Sequence, residues 1–343
     1  MIKFQCDYME GAHPEIMRRL NEINLDKNDG YGLDHYSAHA MQLIREACQC
    51  PKAEVRFLVG GTQTNAVVID SMLRFNEGII APQTGHINVH EAGAIETCGH
   101  KVIPAKAVLG KIDLDALETY LETFTEELNA VGWEHYVVPR AIYVSMSTEL
   151  GTLYSLAELT RLRDLCDRYN LYLYIDGARL GYALAAPACD VTLPDVARLA
   201  DVFYIGGTKV GALFGEAVVV TNPAIQVTRG HIKGRGAMLA KGWLLGIQFE
   251  TLFTDGLYFK IARNAVEQAL KLRDVLIEKG YEIYLDSPTN QQFVVMPTER
   301  LATLAEQVGY DVIATLDAHN TVIRFCTSWA TTDAQLAHLI SCL

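Results

Sequence analysis

The chain has 343 residues, half of them hydrophobic and 20% charged, enough for a large domain with a substantial core and a smaller one beside it. Its formal net charge of −12 argues against nucleic acid or an anionic membrane surface as a partner. The eight cysteines show no Cys-x-x-Cys spacing, no apolar run approaches a membrane span, and the opening MIKFQCDYMEG lacks a signal-peptide apolar region, so a cytoplasmic protein with reduced thiols is expected.

After a short lead-in, Pro14 suits the first turn of a helix that continues through Ile16, Met17, Leu20 and Ile23. A polar turn, DKNDGYG, precedes a second predicted helix over 36–48. Residues 54–59 read as a strand, Gly60-Gly61-Thr62 as the turn after it, and 63–75 as a helix. That order aims backbone N–H groups and a positive helix end at a phosphate, although Gly-Gly-Thr alone is a common tight turn. The absence of Gly-x-Gly-x-x-Gly and of a Walker lysine counts against dinucleotide and P-loop readings. A short strand at 78–81 leads to PQTGH and places His86 beyond its end, where a lone histidine is usually a turn or core residue. A strand at 101–105, an acidic surface helix over 113–127 and a strand at 141–144 follow, the last running into SMSTELGT. Ser155-Leu156-Ala157-Glu158 is a capping box that opens a helix to Tyr169.

The next stretch organises the rest. Residues 172–175 (YLYI) and 202–205 (VFYI) are apolar runs rich in aromatic and β-branched side chains, the pattern of strands buried on both faces of a parallel sheet. One ends in Asp176-Gly177 and the other in Gly206-Gly207-Thr208-Lys209. Ligands of open α/β sheets collect beyond the carboxyl ends of strands, so a carboxylate and an amine reach one rim. With glycines around it and no other charge before Glu216, Lys209 is a lysine that desolvation can deprotonate. A loop lysine and a turn-capping aspartate are the bland alternative. Together the two groups suit pyridoxal phosphate, which condenses with a lysine and needs an acid partner at its pyridine nitrogen.

Beyond Val220 the pattern becomes helical to about Gly280, with Lys233 and Arg235 placed either to meet a phosphate from a neighbouring subunit or merely to solvate a loop. Strands near 293–296 and 322–326 then alternate with helices over 299–308 and 332–343. Arg324 lies inside an apolar strand, where it needs either a buried acid or a ligand carboxylate. The expected division is residues 1–245 for an arm and a large α/β domain, and 246–343 for a small α+β domain.

The ordered set DGARL, a strand and GGTKVGALFGEAVV resembles the threonine aldolase and β-eliminating lyase family of fold-type-I pyridoxal phosphate enzymes. The resemblance covers most of the chain and implies a mostly parallel large domain, a small carboxyl-terminal domain, and a homodimer or homotetramer acting on a small amino acid. It implies that Asp176 faces the pyridine nitrogen, Lys209 is the covalent anchor with Thr208 before it, and His86 stacks on the ring and assists proton transfer. Gly60, Gly61, Thr62 and Asn65 match the family's phosphate segment, while Arg179 and Arg324 match its substrate-side arginines and Tyr31 its substrate-side tyrosine. Glu91 matches a family acid of less defined role, and His90 is left as structural. The reaction implied is cleavage of the Cα–Cβ bond of a β-hydroxy amino acid to glycine and an aldehyde. The pattern departs from the family at SMSTE, where Thr148 stands for an expected second histidine, and at Cys6-Asp7, where Ser-Asp is usual. Those departures keep β-elimination, racemisation, transamination and non-catalytic cofactor binding open as alternatives.

Overall fold

The computed structural model describes residues 1–132 and 135–343. Seven strands build the main sheet: β1 (Glu54–Leu58), β2 (Glu77–Pro82), β3 (Lys101–Ala105), β4 (Val138–Ser145), β5 (Tyr172–Asp176), β6 (Val202–Gly206) and β7 (Glu216–Val220), in the spatial order β1-β7-β6-β5-β4-β2-β3. Neighbours from β6 to β3 run parallel, whereas β7 is antiparallel to both β1 and β6. Every residue of β6 and β7 is buried, as the unbroken apolar runs require of strands covered on both faces. Each fully buried Val, Ile or Phe there contributes about 1.5–3 kcal/mol over an exposed one.

The reversed direction of β7 has a consequence at the rim. Its first residue, Glu216, lies level with Gly206 at the end of β6 and Leu58 at the end of β1. An acid that opens a strand therefore joins the carboxyl-end edge, beside the groups that close the others.

Local sequence sets the helices. Ser155 and Glu158 form the expected capping box at the start of Leu156–Tyr169, and Asn170 ends that helix in the left-handed conformation at φ 54°. The acidic helix Leu114–Val131 buries only Leu117 and Leu121, in keeping with a solvated surface. Among the described residues no helix is long and apolar enough to cross a membrane, and all eight cysteines are free thiols.

A second sheet holds β8 (Ile283–Leu285), β9 (Gln291–Pro297), β10 (Asp311–Thr315) and β11 (Asn320–Cys326) in the antiparallel order β8-β9-β11-β10. β8 and β10 were not foreseen: both are half-exposed edges without a long apolar run. The lead-in also belongs here. Ile2–Lys3 pairs in parallel with Val308–Gly309, and Phe4 enters the smaller core. The division expected after residue 245 cuts the helix Trp243–Phe253, whose Phe249, Leu252 and Phe253 lie in the larger core. The two cores instead meet along Leu257–Glu278, which gives Tyr258 to Val266 to the larger and Leu272 and Leu276 to the smaller.

Candidate active site

Lys209 stands just past β6, in a loop folded back by backbone bonds from Gly207 and Thr208 to the Gly215 carbonyl. Tyr182 fixes the lysine's own carbonyl from below with a 2.5 Å hydrogen bond. Burial, reinforced by the nearby Arg179, holds the amine below the usual lysine range, while Asp7, Asp176 and Glu216 pull the other way. Its Nζ lies 5.8 Å from the centre of the Tyr8 ring.

Asp176 closes β5 and is 4% exposed. Gly177 follows because any side chain there would meet the Tyr204 carbonyl at 1.8 Å. Four donors converge on the carboxylate: Tyr204 at 2.5 Å, Tyr143 at 2.6 Å, the Ala178 N–H at 3.0 Å and Asn65 at 3.2 Å. Tyr143, Tyr174 and Tyr204 each sit two residues before a strand end, so the period of two puts them on one face. Burial and the neighbouring Asp176 push all three phenols well up, which keeps them donors at ordinary pH.

The expected phosphate segment splits. Gly60 precedes the helix Gly61–Met72 with no side-chain cap, and a Cβ built on it meets nothing within 4 Å. Thr62 is exposed at the same end. Asn65 faces elsewhere: it donates to Glu91 at 2.7 Å and to Asp176, and accepts from Tyr174 at 2.7 Å. Both ends of its amide are held inside the protein, so it braces the carboxylates rather than standing open to a phosphate. Thr208 is likewise engaged, donating to Glu216 at 2.7 Å. Burial raises the Glu216 carboxyl to about 8.

His86 begins the short helix His86–Val89, with Nδ1 2.8 Å from Glu91. Burial alone lowers its affinity for a proton, but Glu91 and Asp176 outweigh that and raise it overall. The His90 ring centre is 5.6 Å from that of His86, on an exposed position.

Thr148 does not take the place of a histidine facing the cleft. It is 1% exposed, and its hydroxyl is paired with Thr152 at 2.7 Å inside its own loop. The next residue, Glu149, points inward instead. Its Oε1 accepts from Ser145 at 2.7 Å and from the His86 backbone at 3.1 Å, while its buried Oε2 has no partner among the described residues. Glu91 Oε2 is also buried and unpartnered among them.

Both arginines already hold carboxylates of this chain. Arg179 grips the fully buried Asp7 through two bonds of 2.8 and 2.9 Å. Arg324 bonds Asp311 at 2.8 Å and Gln291 at 2.9 Å, leaving its buried Nε without an acceptor among the described residues. The acid required by its strand position is thus present, although Asp311 is 45% exposed rather than buried. Arg235 is paired with Asp70 at 2.9 Å on its own chain. Tyr31 is not brought into this cluster: it is 45% exposed, at φ 62°, and lines a separate cavity with Arg56 and Arg229, its ring 5.2 Å from Lys233 Nζ.

A lysine and an aspartate delivered by adjacent parallel strands to one rim, with an uncapped helix start beside them, define a fold-type-I protein. The comparisons narrow this. The β-eliminating lyase family model matches residues 4–309, and the chain belongs to that family. It is 26% identical over 341 residues to the low specificity L-threonine aldolase of Pseudomonas sp. (strain NCIMB 10558), covering 98% of this chain and 95% of that protein. The solved threonine aldolase of Leishmania major superposes with a TM-score of 0.95 at 40% identity, covering 99% of this chain and 98% of that one. A Thermus thermophilus aspartate aminotransferase shares the fold at 15% identity, with a TM-score of 0.70 over 100% of this chain and 90% of its own.

The sequence pattern did not single out Glu149, Asp7 or the three tyrosines as site groups. Their signals were present but local: a period-two tyrosine two residues before each strand end, and an acid next to a threonine on which attention had settled.

Proposed function

We propose that this protein is a pyridoxal-phosphate-dependent lyase that cleaves the Cα–Cβ bond of a β-hydroxy amino acid to glycine and an aldehyde. The observation that carries the reading is the buried Lys209, its amine held below the usual lysine range by burial, on the rim it shares with the donor-saturated carboxylate of Asp176. The residues present fit the cofactor. Lys209 would be its covalent anchor and Asp176 the partner of its ring nitrogen, where an N–H donor would replace the long Asn65 contact. Gly60, Gly61 and Thr62 would receive the phosphate at the uncapped helix start, and His86 would lie against the ring. When bound, the cofactor supplies an electron sink for a carbanion at Cα.

The protein's own groups do the rest. Arg324, whose buried Nε has no acceptor among the described residues, and Arg179 would orient the substrate carboxylate. His86 is fixed through Nδ1, which leaves Nε2 as its working nitrogen. We further propose a cytoplasmic homodimer or homotetramer, in which Tyr31 and Lys233 serve a neighbouring subunit's site; their position outside the Lys209 cluster supports this.

Product analysis by mass spectrometry tests the reading, with threonine, allo-threonine and phenylserine as substrates of the cofactor-loaded protein. Glycine plus the matching aldehyde is expected. A 2-oxo acid plus ammonia, amino-group exchange, or inversion without cleavage would replace it with elimination, transamination or racemisation.

A further inference from the structure

Cleavage of a β-hydroxy amino acid needs a group that takes the hydroxyl proton as the Cα–Cβ bond breaks, and Thr148, which stands where the resemblance leads one to expect a second histidine, is buried, paired with Thr152 and cannot act as a base near neutral pH. The adjacent Glu149 points the other way, toward Ser145 and the His86 backbone. Ser145, its anchor, lies directly opposite Asp176 in the paired strands β4 and β5, so the carboxyl reaches the same rim. The turn is held by bonds between Thr148 and Thr152 and from Gly151 to Thr148, which fix the backbone on both sides of Glu149.

One carboxylate oxygen is therefore committed to two donors, and the other is buried with none among the described residues. An unpartnered buried carboxylate oxygen costs free energy unless something uses it. The charged groups that bear on it are Asp176, His86 and Arg179, with the neutral phenols of Tyr143 and Tyr154 beside it. Tyr154 accepts the Ile112 N–H at 2.7 Å.

We propose that Glu149 is a catalytic residue of this site, its Oε2 being the base that removes the β-hydroxyl proton of the substrate. The role rests on the lyase reading above. The hydroxyl hydrogen passes to Oε2, the oxygen–hydrogen pair becomes the second bond of the aldehyde carbonyl, and the Cα–Cβ pair stays on Cα. A proton then delivered to Cα completes glycine, and Glu149 returns to its carboxylate by releasing the proton it took. Burial, the largest influence, raises the carboxyl, and Asp176 adds to it while Ser145 and His86 oppose it. A carboxyl raised in this way is, once ionised, a stronger base than an ordinary one.

Glu149→Gln keeps the shape and removes the base. The expected result is a fall in kcat for phenylserine cleavage of about 10²-fold or more, with KM little changed and the acidic limb of the pH–rate profile lost. Exchange of the glycine α-proton with solvent, which involves no hydroxyl, should stay within about threefold of wild type. A readout independent of turnover is the melting temperature of the apoprotein against pH. Because the folded carboxyl lies above its ordinary 4.5, wild-type stability should fall as pH rises through that window, and Glu149→Gln should flatten the fall. Glu149→Asp, which keeps the carboxyl, should retain the slope and restore part of kcat. Wild-type cleavage matched by Glu149→Gln, or an equal loss of cleavage and glycine exchange, would overturn the role alone. A wild-type protein that exchanges the glycine proton but cleaves none of the β-hydroxy amino acids would overturn the lyase reading, and this role with it.

Discussion

Replacing Asp7 by Asn should lower stability sharply, because it strips the countercharge from a guanidinium held in the interior. Asp7 is fully buried, meets Arg179 at 2.8 and 2.9 Å, and takes a third bond of 2.9 Å from Asn290. Burial raises its carboxyl, but Arg179 and Lys209 overcome that and hold it at about 2, against an ordinary 3.8. That difference corresponds to about 2 kcal/mol of stability at neutral pH. Removing one partner of a buried pair costs more, about 3–5 kcal/mol, since the remaining charge is left uncompensated. An unfolding entropy of about 2.1 cal/mol/K per residue over 343 residues makes each kcal/mol worth about 1.4 °C. Calorimetry of the Asp7→Asn apoprotein at pH 7 should therefore give a melting temperature about 4–7 °C below wild type. The folded pKa lies below the unfolded one, so the contribution is complete above 3.8 and disappears as pH falls through about 2. The two proteins' melting temperatures should accordingly converge in acid. Glu15→Ala, which breaks an exposed pair with Arg18, serves as the control and should change nothing measurable. A shift of under about 1 °C at pH 7, or a gap that fails to narrow in acid, would refute the reasoning.

Further outcomes follow from the proposed roles. Lys209→Ala should fold yet lose the borohydride-trapped pyridoxyl group, and finding that group on Lys233 or Lys241 of the wild-type protein would reject the assignment. Asp176→Asn should bind the cofactor with little change of fold but lose most turnover, because a neutral amide cannot keep the ring nitrogen protonated; full activity in that variant would count decisively against it. His86→Ala should reduce phenylserine cleavage more than Thr148→Ala does, as read by steady-state kinetics, since only the histidine faces the carboxylates.

Much of this arrangement was legible in the chain because it depends on short-range rules. Buried parallel strands announce themselves as apolar runs, and the residues that close them, Asp176 and Lys209, are fixed to the rim by strand direction alone. The capping box at Ser155 was equally local. What escaped depends on contacts distant in sequence. Nothing near Asp311 says that it will pair with Arg324 across β10 and β11, and nothing near Asp7 says that Arg179 will meet it 172 residues later. Glu216 was hidden for a topological reason, since strict alternation of strand and helix implies a parallel β7 and would put that residue at the opposite edge. Asn65 was misplaced because its segment pattern points to a phosphate, whereas one helical turn carries its side chain past the helix start and onto Asp176 and Glu91.

The burial of Thr148 also changes the reason for expecting a broad substrate range. A small residue in place of a histidine suggests extra room around Cβ, yet the space vacated is filled by the loop's own Thr148–Thr152 pairing. The Tyr8 ring, 57% exposed, has its centre 5.8 Å from the Lys209 Nζ. Tyr8 is carried by the lead-in segment, which is anchored on one side by Asp7 to Arg179 and on the other by Phe4, whose carbonyl accepts the Cys326 N–H at 2.7 Å. Under the lyase reading, this segment, held by the small sheet, would form a wall beside the substrate side chain. Tolerance for bulky side chains under the lyase reading follows from how far Tyr8 can swing while Asp7 stays fixed. Tyr8→Ala should then widen the range toward larger β-substituents without altering cofactor capture, a change in relative kcat/KM between phenylserine and threonine that Thr148→Ala would not produce.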